Sequence, residues 1–360
     1  MKHFSLFLAV LLLAVPVQAK PTVVTTKIEL KSSDTVLKNG VTLINAETLL
    51  KPLNGSFTRL EGTGTYKIAC RNHNLMIQLG SVSYTIDGKN GSFTLTQVPL
   101  LNGGRLMIPA RKMTELLGGK VVGKTLVFSK TVMKDIIFLH HSCGQNWIAD
   151  GEIRQKLTKA GFEFWDHGYN GDGLTDPTGK KTGKNYNVPD DNTNPDGFAN
   201  IFSQKLTKPP ANTLSSLLAH DVIIIKSCFP VSDINSDDML EEYFGYYKTV
   251  KAGMKKYPDK VFIIVTQPPL NRKATTPDRA LRARKLANFL KSDEFLKGVP
   301  NVSTFDWFNL LALSDPKSPD YSMLKPEYSP EGDDSHPNFI ANLNTSPAFV
   351  GFVVSKAVKY

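Results

Sequence analysis

A serine, a histidine and a pair of aspartates are the residues of this 360-residue chain whose types and placing suit nucleophilic chemistry. Ser142 stands in Leu139-His140-His141-Ser142-Cys143-Gly144-Gln145-Asn146-Trp147, directly after a short apolar run. Gly332-Asp333-Asp334-Ser335-His336-Pro337-Asn338 stands near the other end. A serine hydroxyl needs a base before it can attack, and the base needs an acid to orient it and stabilise its charged form. A histidine three residues after an aspartate, His336 after Asp333, can receive that carboxylate across one tight turn. Asp334 is adjacent and is the alternative acid; Cys143 is the alternative nucleophile. His140 and His141 are neighbours at a strand end, so their side chains point apart, and structural roles are expected of them rather than metal ligation.

The elements that must position these groups alternate. Short Val/Ile/Leu-rich runs at 135–139, 162–165, 222–225, 261–265 and 302–307 predict strands, and 152–161, 236–257 and 278–296 predict helices. Continuous apolar runs buried on both faces point to a parallel sheet covered by helices. Such sheets place their sites at the C-terminal ends of the strands, which is where Ser142 falls. The prolines of Thr266-Gln267-Pro268-Pro269-Leu270 stop the fourth strand and shape its rim. Arg279, Arg282, Arg284 and Lys285 read as a solvated helix face. Residues 168–197 are rich in Gly, Asn, Asp and Lys with no apolar period, which suits a lid, a binding loop or a flexible segment. Asn170, Asp172 and Asp176 are spaced closely enough for calcium, but no Glu stands at the EF-hand spacing, and a plain loop is the expectation.

A serine just after the first strand, with Asp-x-x-His-Pro-Asn near the end of an α/β chain, resembles the SGNH (GDSL-like) hydrolases over residues 134–358. The usual Gly-Asp-Ser is here His140-His141-Ser142. The resemblance implies Ser142 as nucleophile, His336 as general base and Asp333 as its orienting acid. It also implies a flavodoxin-like three-layer parallel sheet, no metal or other cofactor, and ester or acetyl-ester substrates. The G-x-S-x-G elbow of the α/β-hydrolases is absent around Ser142.

The chain departs from that family in one place. An oxyanion-hole Asn is expected after the third strand, where the sequence reads Lys226-Ser227-Cys228-Phe229-Pro230. Backbone N–H groups of Ser142 and Gly168, with Lys226 or Ser227 as the further donor, are the candidates; one such donor contributes about 3 kcal/mol. Cys143 and Cys228 follow the first and third strands, which lie side by side in a flavodoxin-like sheet, so a disulfide between them is expected, with Cys70 free.

Residues 20–130 have a different texture. Runs at 23–30, 66–70, 75–79 and 82–86 predict strands, with Asp87-Gly88 and Asn90-Gly91 as turns. Gly40 to Glu47 and Gly104 to Arg111 form a weak repeat of strand, short helix and glycine stop, in which glycine supplies a left-handed cap and the two copies pack as one unit. Asn102 to Arg111, followed by Leu116-Leu117-Gly118-Gly119, resembles the stalk domain named for the N-terminus of copper amine oxidases. That implies a small, β-rich α+β, non-catalytic module. The name implies no copper here, since His73 is the one histidine between residue 20 and His140.

Charge divides the chain in the same place. Residues 20–130 hold 15 Lys/Arg against 6 Asp/Glu, and residues 131–360 hold 27 of each. A basic N-terminal third suits an anionic cell-surface polymer. Met1-Lys2-His3, the apolar run to Val17 and Gln18-Ala19 read as a signal peptide cleaved after Ala19. The expected organisation is thus leader (1–19), stalk-like domain (20–130) and hydrolase-like domain (131–360), with no transmembrane helix after cleavage and no nucleic-acid motif. The expected function is a secreted or envelope serine esterase that deacetylates carbohydrate or wall polymer. A binding protein on a decayed hydrolase fold and an acyltransferase with the same triad are the alternatives.

Overall fold

The computed structural model describes residues 21–94, 97–330 and 332–360; the leader peptide read at 1–19 lies outside the described residues. Residues 134–346 form one compact unit, and residues 21–133 with 347–360 form another. The tail from Pro347 therefore belongs with the N-terminal unit, where the sequence alone had run the second domain on to 360. Val358–Lys359 pairs antiparallel with Thr131 and Val132.

In the larger unit, the strands are β1 (Asp135–Leu139), β2 (Glu163–His167), β3 (Leu174–Thr175), β4 (Val222–Lys226), β5 (Val261–Val265) and β6 (Val302–Phe305). They form one sheet in the order β3-β2-β1-β4-β5-β6. All neighbours are parallel except the short β3 on β2. The fold is α/β. Every residue of β1, β4 and β5 is buried, as their apolar runs require of strands covered on both faces, and the burial extends to Asp135 and Lys226 at strand ends. The register sets Leu139 beside His167 and Ile225, so the ends of β1, β2 and β4 come level at one edge. The chain leaves β1 for β2 on one side and later returns to β4 on the other. That reversal opens the crevice in which doubly wound sheets bind ligands.

The helices are α1 (Ser142–Asp150), α2 (Ile153–Lys159), α3 (Pro195–Ser203), α4 (Thr213–Leu217), α5 (Asp237–Met254), α6 (Pro277–Leu290), α7 (Asp293–Leu296), α8 (Trp307–Leu311) and α9 (Phe339–Ala357). The helix read at 278–296 is two, because Ser292 leaves the helix and its hydroxyl caps the next turn at Phe295 N–H, 3.1 Å. The basic face of α6 is not wholly solvated either. Arg284 is buried between the rings of Phe308 and Tyr321 and donates to Ser322, Asn309 and the Leu313 carbonyl.

The N-terminal unit holds three antiparallel sheets. Thr22–Glu29 pairs along Thr125–Val132, and five strands from Ser56 to Ser92 form a meander. The two repeat copies pair with each other, Ile44 against Ile108, and so pack as one unit. The left-handed cap of the first copy is Asn54 (φ 55°), not Gly55, whose missing Cβ instead makes room for Cys70. Asn90-Gly91 is not a turn but part of the strand Lys89–Ser92, with Gly91 under the ring of Tyr84. Only Asp87-Gly88 turns the chain there, with φ values of 50° and 78°.

Gly119 tests how tightly this unit is packed. A Cβ there would stand 2.5 Å from Phe128 ring carbons and 2.9 Å from Thr114 Cγ2, and both side chains are buried. Gly119→Ala is expected to destabilise the protein by about 1–3 kcal/mol, the usual cost of overpacking. Denaturant titration of the full chain checks this, and an unchanged midpoint would refute the tight packing.

Candidate active site

Ser142 is the first residue of α1, three residues past Leu139 at the end of β1. Helix α1 can start this close to the strand because its third residue is glycine. A Cβ on Gly144 would lie 2.5 Å from the Cβ of His140. His336 arrives from the loop before α9, and its Nε2 accepts from the Ser142 hydroxyl at 2.8 Å. On the far side of the ring Nδ1–H donates to Asp334 Oδ1 at 2.6 Å, and the His336 backbone N–H donates to the same oxygen at 3.0 Å. Phe229 sets its edge against the imidazole at 4.8 Å between centroids.

Asp334, not Asp333, is therefore the carboxylate that meets His336. Asp333 is exposed and makes no hydrogen bond to the imidazole. The two-residue spacing lets one carboxylate oxygen take both the ring N–H and the backbone N–H of His336, which a longer turn to Asp333 would not do. Burial pushes the Asp334 carboxyl up, but the hydrogen bonds from His336 outweigh it and hold the group below the usual carboxylate range. The preceding Ser335 is buried and accepts from Asn271 N–H at 3.0 Å, while Asn271 Nδ2 donates to the Asp334 carbonyl at 2.7 Å; both pin the loop.

Ser142 and His336 open into a cleft of about 510 Å³. Its other walls are His141, Tyr169, Asp190 to Asn194, Cys228, Phe229 and Pro230. His141 and Tyr169 stack at 4.0 Å between centroids. The Asp190–Asn194 stretch belongs to the long polar loop, which side chains fasten internally. Asn170 Nδ2 donates to the Val188 carbonyl and its Oδ1 accepts from Val188 N–H, while Asn170 N–H reaches Asp191. Asp176 accepts from Thr178 and from Lys180 N–H, and Asp172 pairs with Lys181. These carboxylates serve the loop itself rather than one shared point, and no group of metal-ligating side chains is found among the described residues.

Of the oxyanion donors suggested by the sequence, only Ser142 is in this cleft. Gly168, Lys226 and Ser227 do not line it. The Ser227 hydroxyl donates to the Thr193 carbonyl and meets Tyr247, each at 3.1 Å. Lys226 is fully buried, with Nζ donating to the Ser227 carbonyl at 3.1 Å and lying 3.8 Å from Cys228 Sγ. The Gly168 carbonyl accepts from His167. In the first turn of α1 the Gly144 and Gln145 N–H groups go to the His141 carbonyl at 2.8 and 3.0 Å, which leaves the Ser142 N–H as a backbone donor beside the hydroxyl, and Asn194 is a further polar residue of the cleft wall. Sequence reading missed Asn194, His141 and Tyr169; the Asn192-Thr193-Asn194-Pro195 helix start was the only signal of a positioned polar loop.

The expected Cys143–Cys228 disulfide is not formed, and all three cysteines are free thiols. Cys228 Sγ instead lies 3.7 Å from Ser142 Oγ and 3.8 Å from Lys226 Nζ.

Residues 22–125 match the family model of the copper amine oxidase N-terminal domain. No curated protein sequence matches the chain. Among solved structures, a GDSL-like lipase from Bacteroides thetaiotaomicron has 13% identity, TM-score 0.35, and a match covering 62% of this chain and 89% of that one. A family two carbohydrate esterase from Cellvibrio japonicus also has 13% identity, TM-score 0.32, and a match covering 93% and 99%. At these scores the chemistry must be argued from the site itself.

His167, at the end of β2, ties the long loop to the sheet. Its Nδ1–H donates to the Gly168 carbonyl, and its Nε2 lies 3.1 Å both from Tyr186 N–H and from Asn185 Oδ1. Burial holds it below the ordinary imidazole range. The unfolded chain thus takes up a proton near pH 6.5 that the folded chain refuses, and stability falls as pH drops below that point, by up to about 1.4 kcal/mol per pH unit. Denaturant midpoints measured between pH 7.5 and 5 are expected to fall more steeply for wild type than for His167→Gln. Parallel curves would show that His167 is not buried neutral.

Proposed function

We propose that the larger unit is a serine ester hydrolase in which Ser142 attacks the acyl carbon, His336 takes and returns the proton, and Asp334 orients His336 and stabilises its imidazolium. The observation that carries this is the unbroken line from Ser142 Oγ through His336 to Asp334, at 2.8 and 2.6 Å, facing an open cleft. A serine and histidine with no chemistry to do have no reason to meet across 194 residues of sequence with the acid in line behind them. The tetrahedral oxyanion would be met by the Ser142 N–H and by Asn194. With this chemistry goes a flavodoxin-like, three-layer unit, which the strand order supports.

For substrate we infer an acetylated carbohydrate or wall polymer. A wall of Asp190, Asp191, Asn192 and Asn194 with the Tyr169 ring suits hydroxyl-rich sugar better than a lipid chain, which would want an apolar slot. The leader read from the sequence and the basic stalk-type domain support work at the cell envelope, the stalk lying on anionic polymer while the catalytic unit acts. Among the described residues no helix is long and apolar enough to cross a membrane.

Turnover of p-nitrophenyl acetate or an acetylated sugar, measured without reductant, tests the catalytic reading. Ser142→Ala and His336→Ala are each expected to lose at least roughly 1,000-fold, since such residues act as a unit. Asp334→Asn should cost on the order of 100-fold or more, and Asp333→Asn next to nothing. The reverse order for the two aspartates would overturn the assignment of the acid, and a Ser142→Ala protein with wild-type turnover would end the serine mechanism.

The stalk reading has its own test. The full chain is expected to be retained on anionic wall polymer at low salt and released as the salt rises through roughly 0.15–0.5 M, where the Debye length shrinks below about 8 Å. Retention that ignores salt would remove the electrostatic explanation.

A further inference from the structure

The two repeat copies of the N-terminal unit differ where strand gives way to helix. In the second copy the helix starts from Pro109, which supplies no side-chain cap. In the first copy the matching residue is Asn45, the last of the strand Val41–Asn45. Its Oδ1 accepts from Glu47 N–H at 3.1 Å. Its Nδ2 has no hydrogen-bond partner among the described residues, although Asn45 is only 9% exposed. An amide so nearly buried is expected to use both of its ends. Asn45 lines a cleft of about 350 Å³, within the roughly 300–1,000 Å³ usual for small-ligand sites. Nδ2 is its free donor there.

Unpaired charge and an uncovered ring complete the wall. Asp34, Glu47 and Arg105 line the same cleft, and among the described residues none of these three side chains has an ion-pair partner. Phe57 reaches it from the meander. The register sets Phe57 opposite Ile68, with Tyr66 two residues along on the same face. Ile68 and Tyr66 are buried, so this is the face turned to the core. Phe57 shares that face and is still 37% exposed, its ring centre 6.3 Å from that of Tyr66. The core ends short of it and leaves an apolar ring beside four polar groups.

Those groups define what would fit. Two carboxylates and one guanidinium make the cleft acidic, in a stretch with 15 Lys/Arg against 6 Asp/Glu. A polyanion drawn to the rest of that surface is turned away here. A lipid chain would meet three ionised groups and gain nothing from them. Sugar hydroxyls both donate and accept, so they satisfy carboxylate, guanidinium and amide together. The weakly positive C–H face of a pyranose lies well against the negative face of an aromatic ring.

We propose that this cleft of the stalk-type unit binds a neutral glycan. Phe57 packs under a sugar ring, Asn45 Nδ2 and Arg105 donate to its oxygens, and Asp34 and Glu47 accept from its hydroxyls. The site binds and does no chemistry, so it does not depend on the esterase reading. It also differs from the charge attraction proposed for the same unit. That attraction is long-ranged and screened by salt, whereas these contacts are short-ranged. A hold on neutral glycan keeps the chain on its polymer where salt removes the attraction.

Calorimetric titration of the full chain with cellotetraose, and then with chitotetraose, tests this. Wild type is expected to bind at least one of them, with an affinity that changes less than about twofold between roughly 0.05 and 0.5 M salt. Asn45→Asp keeps an oxygen for Glu47 N–H and a good helix cap but exchanges the donor for an acceptor. It is expected to weaken binding on the order of 10-fold with the denaturant midpoint unchanged. Phe57→Ala should weaken binding by about 5- to 10-fold, and Arg105→Ala by about as much. Should the Asn45→Asp midpoint fall, these two exposed positions decide the matter. Tyr169→Ala, in the catalytic cleft, is expected to leave this binding unchanged. Binding of neither sugar, binding abolished by salt, or full affinity in Phe57→Ala and Arg105→Ala would each overturn the site. Affinity lost in Tyr169→Ala alone would put the sugar in the catalytic cleft and overturn it too. Trialanine bound in place of both sugars, and lost with the same substitutions, would make this a peptide site instead. The readout is binding, so an absence of ester turnover has no bearing on it.

Discussion

Strands buried on both faces leave one place for reactive side chains, the turns past their C-terminal ends, and the register of β1 with β2 and β4 brings three such turns level. Everything that follows at the site depends on that alignment. Ser142 leaves β1, the long polar loop leaves β2, and Cys228 leaves β4. The strands are almost wholly apolar because no residue of β1, β4 or β5 meets water; the exceptions are Asp135 and Lys226 at strand ends. Polar chemistry is thereby pushed to the sheet edge, where a first helical turn offers backbone N–H groups that nothing in the helix can satisfy.

The approach of α1 to the end of β1 is the second constraint, and it rests on Gly144. With no Cβ, the helix can begin against His140, which carries Ser142 to the cleft mouth and turns Cys143 into the interior. His336 completes the line from a loop held by Asn271 and the buried Ser335. The acid contributes because two hydrogen bonds from His336 outweigh what burial costs the Asp334 carboxylate.

The polar loop shows how a segment without apolar residues is ordered. Asn170 spans to Val188 and Asp191, and His167 reaches Asn185 and Tyr186. Hydrogen bonds to backbone groups replace the missing core, so the loop presents Asp190 to Asn194 to the cleft as a fixed wall. Composition alone suggested flexibility there, because composition counts apolar residues and cannot count which Asn or Asp finds a backbone partner.

Short apolar runs were enough, in the sequence, to place every parallel strand within a residue or two and to imply an α/β sheet with Ser142 at a strand end. The strand order, and with it the crevice between β1 and β4, followed from a family resemblance rather than from pattern. Local pattern could also nominate His336, since an Asp-x-x-His turn advertises itself. It could not choose between Asp333 and Asp334, which differ by one residue and are equally acidic; the turn's backbone decided, by aiming two N–H groups at Asp334 Oδ1. Nor could it show that Lys226 and Ser227 face inward, that Arg284 is buried, or that residues 347–360 return to the N-terminal unit. Those outcomes depend on contacts between residues tens to hundreds of positions apart, which sequence spacing does not encode. Strand order suggested that Cys143 and Cys228 could join; that both stay free, with Cys228 Sγ 3.8 Å from the buried Lys226 Nζ, was decided by packing that only the folded chain brings about.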